Sequence, residues 1–131
     1  MSTLKTGTVQ NNTGTGAPLF KNNAGTEIGT LCRAWVSFDG TGTVAIRDDF
    51  NVSSITDNGT GDYTVTFSNA MSDRNYAICA SRGQNGNTNP NYVMTVRESF
   101  APPSTTAYRF TTNGATGGSV DSDGVYTAVF R

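Results

Sequence analysis

Few side chains in this chain of 131 residues could perform acid–base or nucleophilic chemistry. The sequence contains no histidine, so the usual general base and the usual partner of a catalytic serine or cysteine are missing. The obvious candidates for a carboxylate pair of the glycosidase kind are Asp48-Asp49 and Asp121-Ser122-Asp123. Neighbouring acids in turns are usually solvated. We therefore expect neither pair to be catalytic and the protein not to be an enzyme.

Side chains that could hold a metal ion are equally scarce. The two cysteines, Cys32 and Cys79, stand in separate candidate strands and cannot complete a tetrahedral zinc shell without further ligands. Residues 57–62 (DNGTGD) place oxygen-bearing side chains around a glycine, as calcium loops do, but lack the later bidentate glutamate. We expect a hairpin turn there, no metal and no cofactor. The cysteines are predicted to be small, buried and reduced.

The charge pattern bears on the classes of partner. The chain has 9 basic and 10 acidic residues, a formal net charge of −1, and no Lys/Arg cluster of the kind that binds nucleic acid. No apolar run approaches the roughly 20 residues of a membrane span, and residues 1–10 lack the apolar core of a signal peptide. We expect no nucleic-acid partner and no membrane insertion. This pattern fits synthesis in the cytoplasm, from which lysis could release the protein.

Two long polar loops are the best candidates for a binding site. Residues 83–91 (GQNGNTNPN) and residues 113–124 (NGATGGSVDSDG) separate candidate strands. Loops of this length on a compact β scaffold are either binding loops or mobile tips. Amide groups, an arginine and an aromatic ring suit the hydroxyls and the apolar face of a sugar. The predicted receptor-binding residues are Arg82, Gln84, Asn85, Asn87, Asn89, Asn91, Tyr92, Asn113, Asp121 and Asp123.

The elements that must position these loops are short strands. Apolar residues alternate with polar ones in eight runs, for example Tyr63, Val65 and Phe67 against Thr64 and Thr66, and turn residues separate the runs. No segment has a helical period. The prediction is an all-β domain over residues 31–131, an antiparallel β-sandwich or barrel-like meander of about seven or eight short strands. We expect its single tryptophan, Trp35, in the core.

Residues 1–30 differ from the rest. They are rich in glycine, threonine and asparagine and carry only isolated apolar side chains, so they cannot bury much surface alone. We expect an extended N-terminal arm that docks on a neighbour or a second copy through Leu19, Phe20 and Ile28.

Several segments together resemble a known family. CRAWVSFDGTGTVAIRDDFNVSSITDNGTGDYTVTF (residues 32–67) and NYAICAS (residues 75–81) are similar to a domain of bacteriophage tail fibres and other virion structural proteins. The arm PLFKNNAGTEIGTL resembles the lead-in that these proteins carry. The resemblance covers most of residues 18–81, and the last apolar strand is similar too. It implies a β-rich, homotrimeric module on the virion surface, and supplies no fixed binding residues.

Three functions follow as hypotheses. The first is a tail fibre or receptor-binding tip that attaches to host cell-surface polysaccharide and joins other phage structural proteins of the tail. The alternative is a capsid decoration or cement protein that stabilises the phage head. A polysaccharide depolymerase comes third. The first two place the mature protein in the virion.

Overall fold

The computed structural model describes Thr8 and residues 20–83, 93–114 and 117–131, and every structural statement below concerns these residues. The chain divides into two compact units, Met1–Leu31 and Cys32–Arg131. The described residues form strands and turns without any helix, as the alternating pattern predicted. No helix of the described residues has the length and apolar character needed to cross a membrane.

The first unit contains one small hairpin. Strand β1 (Phe20–Lys21) pairs antiparallel with β2 (Glu27–Gly29), with Phe20 opposite Gly29. The turn between them is organised by Asn22, whose Oδ1 accepts the N–H groups of Ala24 at 2.9 Å and Thr26 at 3.0 Å. An asparagine side chain that replaces a backbone acceptor in this way favours a turn. Within the predicted arm, residues 20–29 therefore form a small hairpin.

The second unit is a sandwich of two four-stranded antiparallel sheets. Its eight strands are β3 (Cys32–Asp39), β4 (Ala45–Phe50), β5 (Val52–Gly59), β6 (Asp62–Phe67), β7 (Ala77–Arg82), β8 (Val93–Val96), β9 (Ala107–Asn113) and β10 (Val125–Phe130). The first sheet has the order β4-β3-β10-β7 and the second the order β5-β6-β9-β8. All pairs are antiparallel. The predicted all-β sandwich is confirmed.

The core lies between the two sheets and follows from the period of two in the strands. Alternate residues face inward and are buried; they include Ala34, Val36 and Phe38 of β3, Tyr63, Val65 and Phe67 of β6, Tyr108 and Phe110 of β9, and Val125 and Val129 of β10. Each large buried side chain contributes about 1.5–3 kcal/mol relative to an exposed one. The rings of Phe38 and Tyr63 meet edge to face at 5.2 Å and join the two sheets.

The chain passes from the first sheet to the second at Asn51, between β4 and β5. Asn51 has a φ of 57°, in the left-handed region that asparagine tolerates better than most residues. Its amide nitrogen donates to the carbonyl of Arg33 at 3.0 Å, and its Oδ1 accepts the N–H of Asn69 at 2.7 Å. These bonds hold the crossover in place.

Two predictions about single residues were wrong. Trp35 lies on the outer face of the first sheet with 36% of its surface exposed. Successive side chains of a strand point to opposite faces, so burying Ala34 and Val36 forces the residue between them outward. Cys79 is also exposed, on β7 opposite Ala128. Both cysteines are free thiols, and Cys32 is only half-buried.

Candidate functional site

Four strand connections meet at one end of the sandwich, which we call the loop end. They are the β3–β4, β5–β6 and β9–β10 connections together with Gly83, the first residue after β7. Backbone bonds join them: Gly40 donates to the carbonyl of Ser122 at 2.8 Å, and Gly83 donates to that of Gly124 at 2.5 Å. Hydrogen bonds of this kind between connections of both sheets make the loop end an ordered platform.

A buried tyrosine stands at the centre of the loop end. The hydroxyl of Tyr63 lies 2.9 Å from both the carbonyl oxygen of Gly40 and Oδ1 of Asp121. The N–H of Gly61 donates to the same carboxylate oxygen at 2.7 Å. Burial raises the pKa of the Tyr63 hydroxyl well above its usual range, and the carboxylate of Asp121 raises it further. The hydroxyl therefore stays protonated and acts as a hydrogen-bond donor.

Close packing at the loop end requires glycine at two positions. A Cβ at Gly40 would lie 2.4 Å from the Tyr63 hydroxyl oxygen, and one at Gly61 would lie 2.6 Å from the backbone nitrogen of Val120. Gly61 also has a φ of 62°. These glycines let the β3–β4 and β5–β6 turns approach the β9–β10 connection.

The described residues of the predicted receptor site lie at or near the loop end. Arg82 ends β7, opposite Val125, and is half-buried. Asn113 ends β9, where its amide nitrogen donates to the Thr95 hydroxyl at 3.4 Å. The Asp121 carboxylate accepts hydrogen bonds from Tyr63 and Gly61, so this loop residue also has a structural role. Asp123 is half-buried just before β10.

Several predicted site residues fall outside the described ranges. For the receptor site these are Gln84, Asn85, Asn87, Asn89, Asn91 and Tyr92, and for the docking site Leu19. Gly83, the residue before Gln84, lies at the loop end, where it is hydrogen-bonded to Gly124. The other docking residues, Phe20 and Ile28, are exposed on the β1–β2 hairpin of the first unit.

One of the candidate acidic pairs, Asp48-Asp49, lies in strand β4. Asp48 and Asp49 are consecutive in β4, so their side chains leave opposite faces of the strand. Asp49 forms a local hydrogen bond, since its Oδ1 accepts the N–H of Val52 at 3.3 Å.

The turn at residues 57–62 is held by Asp57, whose Oδ1 accepts the N–H of Gly59 at 2.8 Å. No group of three or more His, Cys, Asp or Glu side chains that could hold a metal occurs in the described residues.

Sequence reasoning missed an exposed apolar surface on the first sheet. Phe50, Trp35, Ala128 and Cys79 pair across all four strands, and Tyr126 follows in the next row. We call these five residues the aromatic face. Phe50 is 55% exposed and Tyr126 44%, and Trp35 and Tyr126 line a groove of about 450 Å³. The alternation of residues along β3 and β10 indicated this surface, because Trp35 and Tyr126 stand between buried residues and therefore lie on the opposite face of the sheet.

The outer face of the second sheet is polar by contrast. Serine and threonine pair there across β5 and β6, as in Ser54 with Thr66 and Thr56 with Thr64. The next strand, β9, adds Arg109 opposite Thr64. Across β5, β6 and β9 the outer face of the second sheet is therefore polar, and the aromatic face of the first sheet is the surface suited to contact with another protein.

Comparison with known proteins returned no match. No family model matches the chain, and neither a curated protein nor a solved structure matches it. The function proposed below rests on the residue pattern and on the geometry of the loop end.

Proposed function

We propose that this chain is a bacteriophage virion protein, a tail fibre or receptor-binding tip that attaches to host cell-surface polysaccharide through the loop end. The observation that supports this most is the contact of Tyr63 with Gly40 and Asp121, which holds connections of both sheets at one end. Binding loops positioned by a rigid scaffold are a common arrangement in recognition proteins. In this proposal the chain is a binding module rather than an enzyme.

The proposed partners include further copies of the chain. The aromatic face offers an apolar surface that the polar second sheet does not, and the resemblance to tail fibre domains implies a homotrimer. Sugar contacts are individually weak, and presenting three equivalent loop ends raises the effective affinity through avidity. The proposed location is the virion, after synthesis in the host cytoplasm and release by lysis.

The test of the attachment role replaces residues 83–91 with a Gly-Ser linker of the same length. Purified wild-type protein, added to host cells, should block adsorption of the parent phage, whereas the linker variant should not block it. Equal thermal melting of the two proteins would show that the sandwich is intact. Thr105→Ala, an exposed change at the opposite end of β9, serves as the control that still blocks. Blocking by the linker variant would contradict the role of this loop.

The second candidate function is a capsid decoration protein, and the exposed Phe20 and Ile28 of the β1–β2 hairpin favour it. Apolar side chains on a short hairpin suit docking onto a capsid subunit. Immunogold electron microscopy with antibody against residues 32–131 separates the candidates. Gold at the tail supports attachment, and gold spread over the head supports decoration. Deletion of residues 2–30 should release the protein from the head only in the second case.

A further inference from the structure

Three strands of the second sheet bring one carboxylate and two guanidinium groups together on its outer face. Asp62 begins β6, Arg109 lies in β9, and Arg97 directly follows β8. Asp62 accepts hydrogen bonds from Nε and Nη2 of Arg109 at 2.7 and 2.9 Å, and from Nη2 of Arg97 at 2.9 Å. Two cations share one anion, so a positive charge is left over.

Phe100 covers the two arginines. The turn that carries it is closed by the N–H of Ala101, which donates to the carbonyl of Arg97 at 2.8 Å. The ring centroid lies 5.4 Å from Cζ of Arg109 and 5.9 Å from Cζ of Arg97, within the range of cation–π contact. Phe100 is nevertheless 74% exposed, so much of an aromatic ring remains open to a ligand beside a charged group.

Arg97 has hydrogen-bonding capacity left for a ligand. Its side chain is 40% exposed, against 22% for Arg109 and 11% for Asp62. Asp62, bonded through Nη2, is the one side chain in the described residues that Arg97 bonds. Because Nε is buried, a ligand would reach Arg97 at its Nη atoms. A guanidinium group has five N–H donors and pairs well with a second carboxylate. Arg97 is therefore the group through which an anion would bind.

The cluster is continuous with the loop end. Asp62 pairs with Thr111 of β9, and Thr111 pairs with Thr95 of β8. Thr95 in turn accepts a hydrogen bond from Asn113, the residue that ends β9. Asp62 and Thr111 are buried, whereas Thr95 is exposed and Asn113 is half-buried. Thr95 and Asn113 therefore offer an extended oligosaccharide a hydroxyl and an amide between the proposed receptor loops and Arg97.

We propose that Arg97 and Phe100 bind a carboxylate-bearing pyranose, a uronic acid unit of an acidic host polysaccharide. The sugar carboxylate pairs with Arg97, and an apolar C–H face of the ring lies on Phe100. A neutral sugar does not use the surplus charge, and a phosphate group does not use the aromatic ring. This inference rests on the proposed function and specifies the class of glycan bound.

The experiment measures binding of the full chain to trigalacturonate and to neutral galactotriose by isothermal titration calorimetry. Wild-type protein should bind trigalacturonate, and inorganic phosphate should lower that affinity only slightly. It should bind the neutral trisaccharide at least about tenfold more weakly. Arg97→Ala should reduce affinity for trigalacturonate about tenfold, and Phe100→Ala should reduce it severalfold. Affinity should also fall as salt is raised, because the contact is between charges.

Arg47→Ala is the matched control, because Arg47 is also an exposed arginine paired with a single carboxylate, Asp39, at 3.2 Å, but lies on the other sheet. It should bind like the wild type. Equal affinity of wild type and Phe100→Ala, or displacement of the sugar by phosphate at equal concentration, would overturn the proposal. If Arg97→Ala does not fold, the affinity of Phe100→Ala for trigalacturonate, compared with that of the wild type, tests the proposal. A loop-dependent block of phage adsorption with unchanged Arg97→Ala binding would refute this site and leave the attachment role standing.

Discussion

Tyr63 and Asp121 are 58 positions apart in the chain, yet the Tyr63 hydroxyl lies 2.9 Å from Oδ1 of Asp121. The contact joins β6 of the second sheet to the segment that leads into β10 of the first. Because the same hydroxyl also reaches the carbonyl of Gly40, one buried group of β6 contacts both the β3–β4 and the β9–β10 connection at the loop end. The Tyr63 hydroxyl therefore adds a side-chain contact to the backbone hydrogen bonds of the loop end, and mutation can remove it alone.

Tyr63→Phe removes that hydroxyl and keeps the ring. We expect a loss of about 1–2 kcal/mol in the free energy of unfolding, because the Gly40 carbonyl and Asp121 lose a buried donor. Urea denaturation measures the change. The control is Tyr126→Phe on the aromatic face, where the residue is 44% exposed; it should change stability by no more than about 0.5 kcal/mol. Equal effects of the two variants would show that the Tyr63 hydroxyl does not stabilise the loop end.

Gly40→Ala tests the close approach of the β3–β4 turn to Tyr63. The added methyl group would lie 2.4 Å from a buried, hydrogen-bonded oxygen, so the turn or the ring must shift. We expect a loss of about 1–3 kcal/mol in the free energy of unfolding, typical of overpacking. Gly118→Ala has open space around the new Cβ and should be close to neutral. Thermal melting distinguishes them, and a neutral Gly40→Ala would argue against this geometry.

The free energy of unfolding should depend on pH through the ionisation of Asp62. Hydrogen bonds from Arg109, and then from Arg97, lower the pKa of Asp62 below its usual range. A carboxyl group whose pKa is lowered in the folded state stabilises the fold above its unfolded pKa, about 3.9, and this stabilisation is lost as pH falls through the folded pKa. Asp62→Asn should therefore cost about 1–3 kcal/mol at pH 7 and progressively less below about pH 4. Urea denaturation at pH 7, 4 and 3 measures the difference in the free energy of unfolding between wild type and Asp62→Asn. A difference that stays constant with pH would show that ionised Asp62 does not stabilise the fold.

The aromatic face should control self-association. Trp35→Glu places a charge in the middle of the surface that we propose is shared between copies, and it should convert an oligomer to monomers. Light scattering coupled to size-exclusion chromatography measures the mass. Thr64→Glu, on the outer face of the second sheet, is the control and should leave the mass unchanged. A monomeric wild type, or an oligomer that survives Trp35→Glu, would exclude this face as the subunit interface.

Much of the fold could be predicted because a strand with one buried face has a strict period of two. The alternation of Tyr63, Val65 and Phe67 with threonines predicted both the strand and its inward face, and both are confirmed. The same rule, applied consistently, would have placed Trp35 outside. The general tendency of tryptophan to be buried conflicted with it, and strand parity prevailed because Val36 and Phe38 fill the core.

The amino-acid sequence by itself determined the strands, the faces they bury and the turns between them, because these depend on neighbouring residues. Only the tertiary structure decided which strands lie side by side, such as β10 between β3 and β7, since alternation describes faces and not partners. The contact of Tyr63 with Asp121 and the cluster of Asp62, Arg97 and Arg109 follow from that order. Their members are far apart in sequence, and it is the pairing of the strands and the packing of the two sheets that bring them within hydrogen-bond distance.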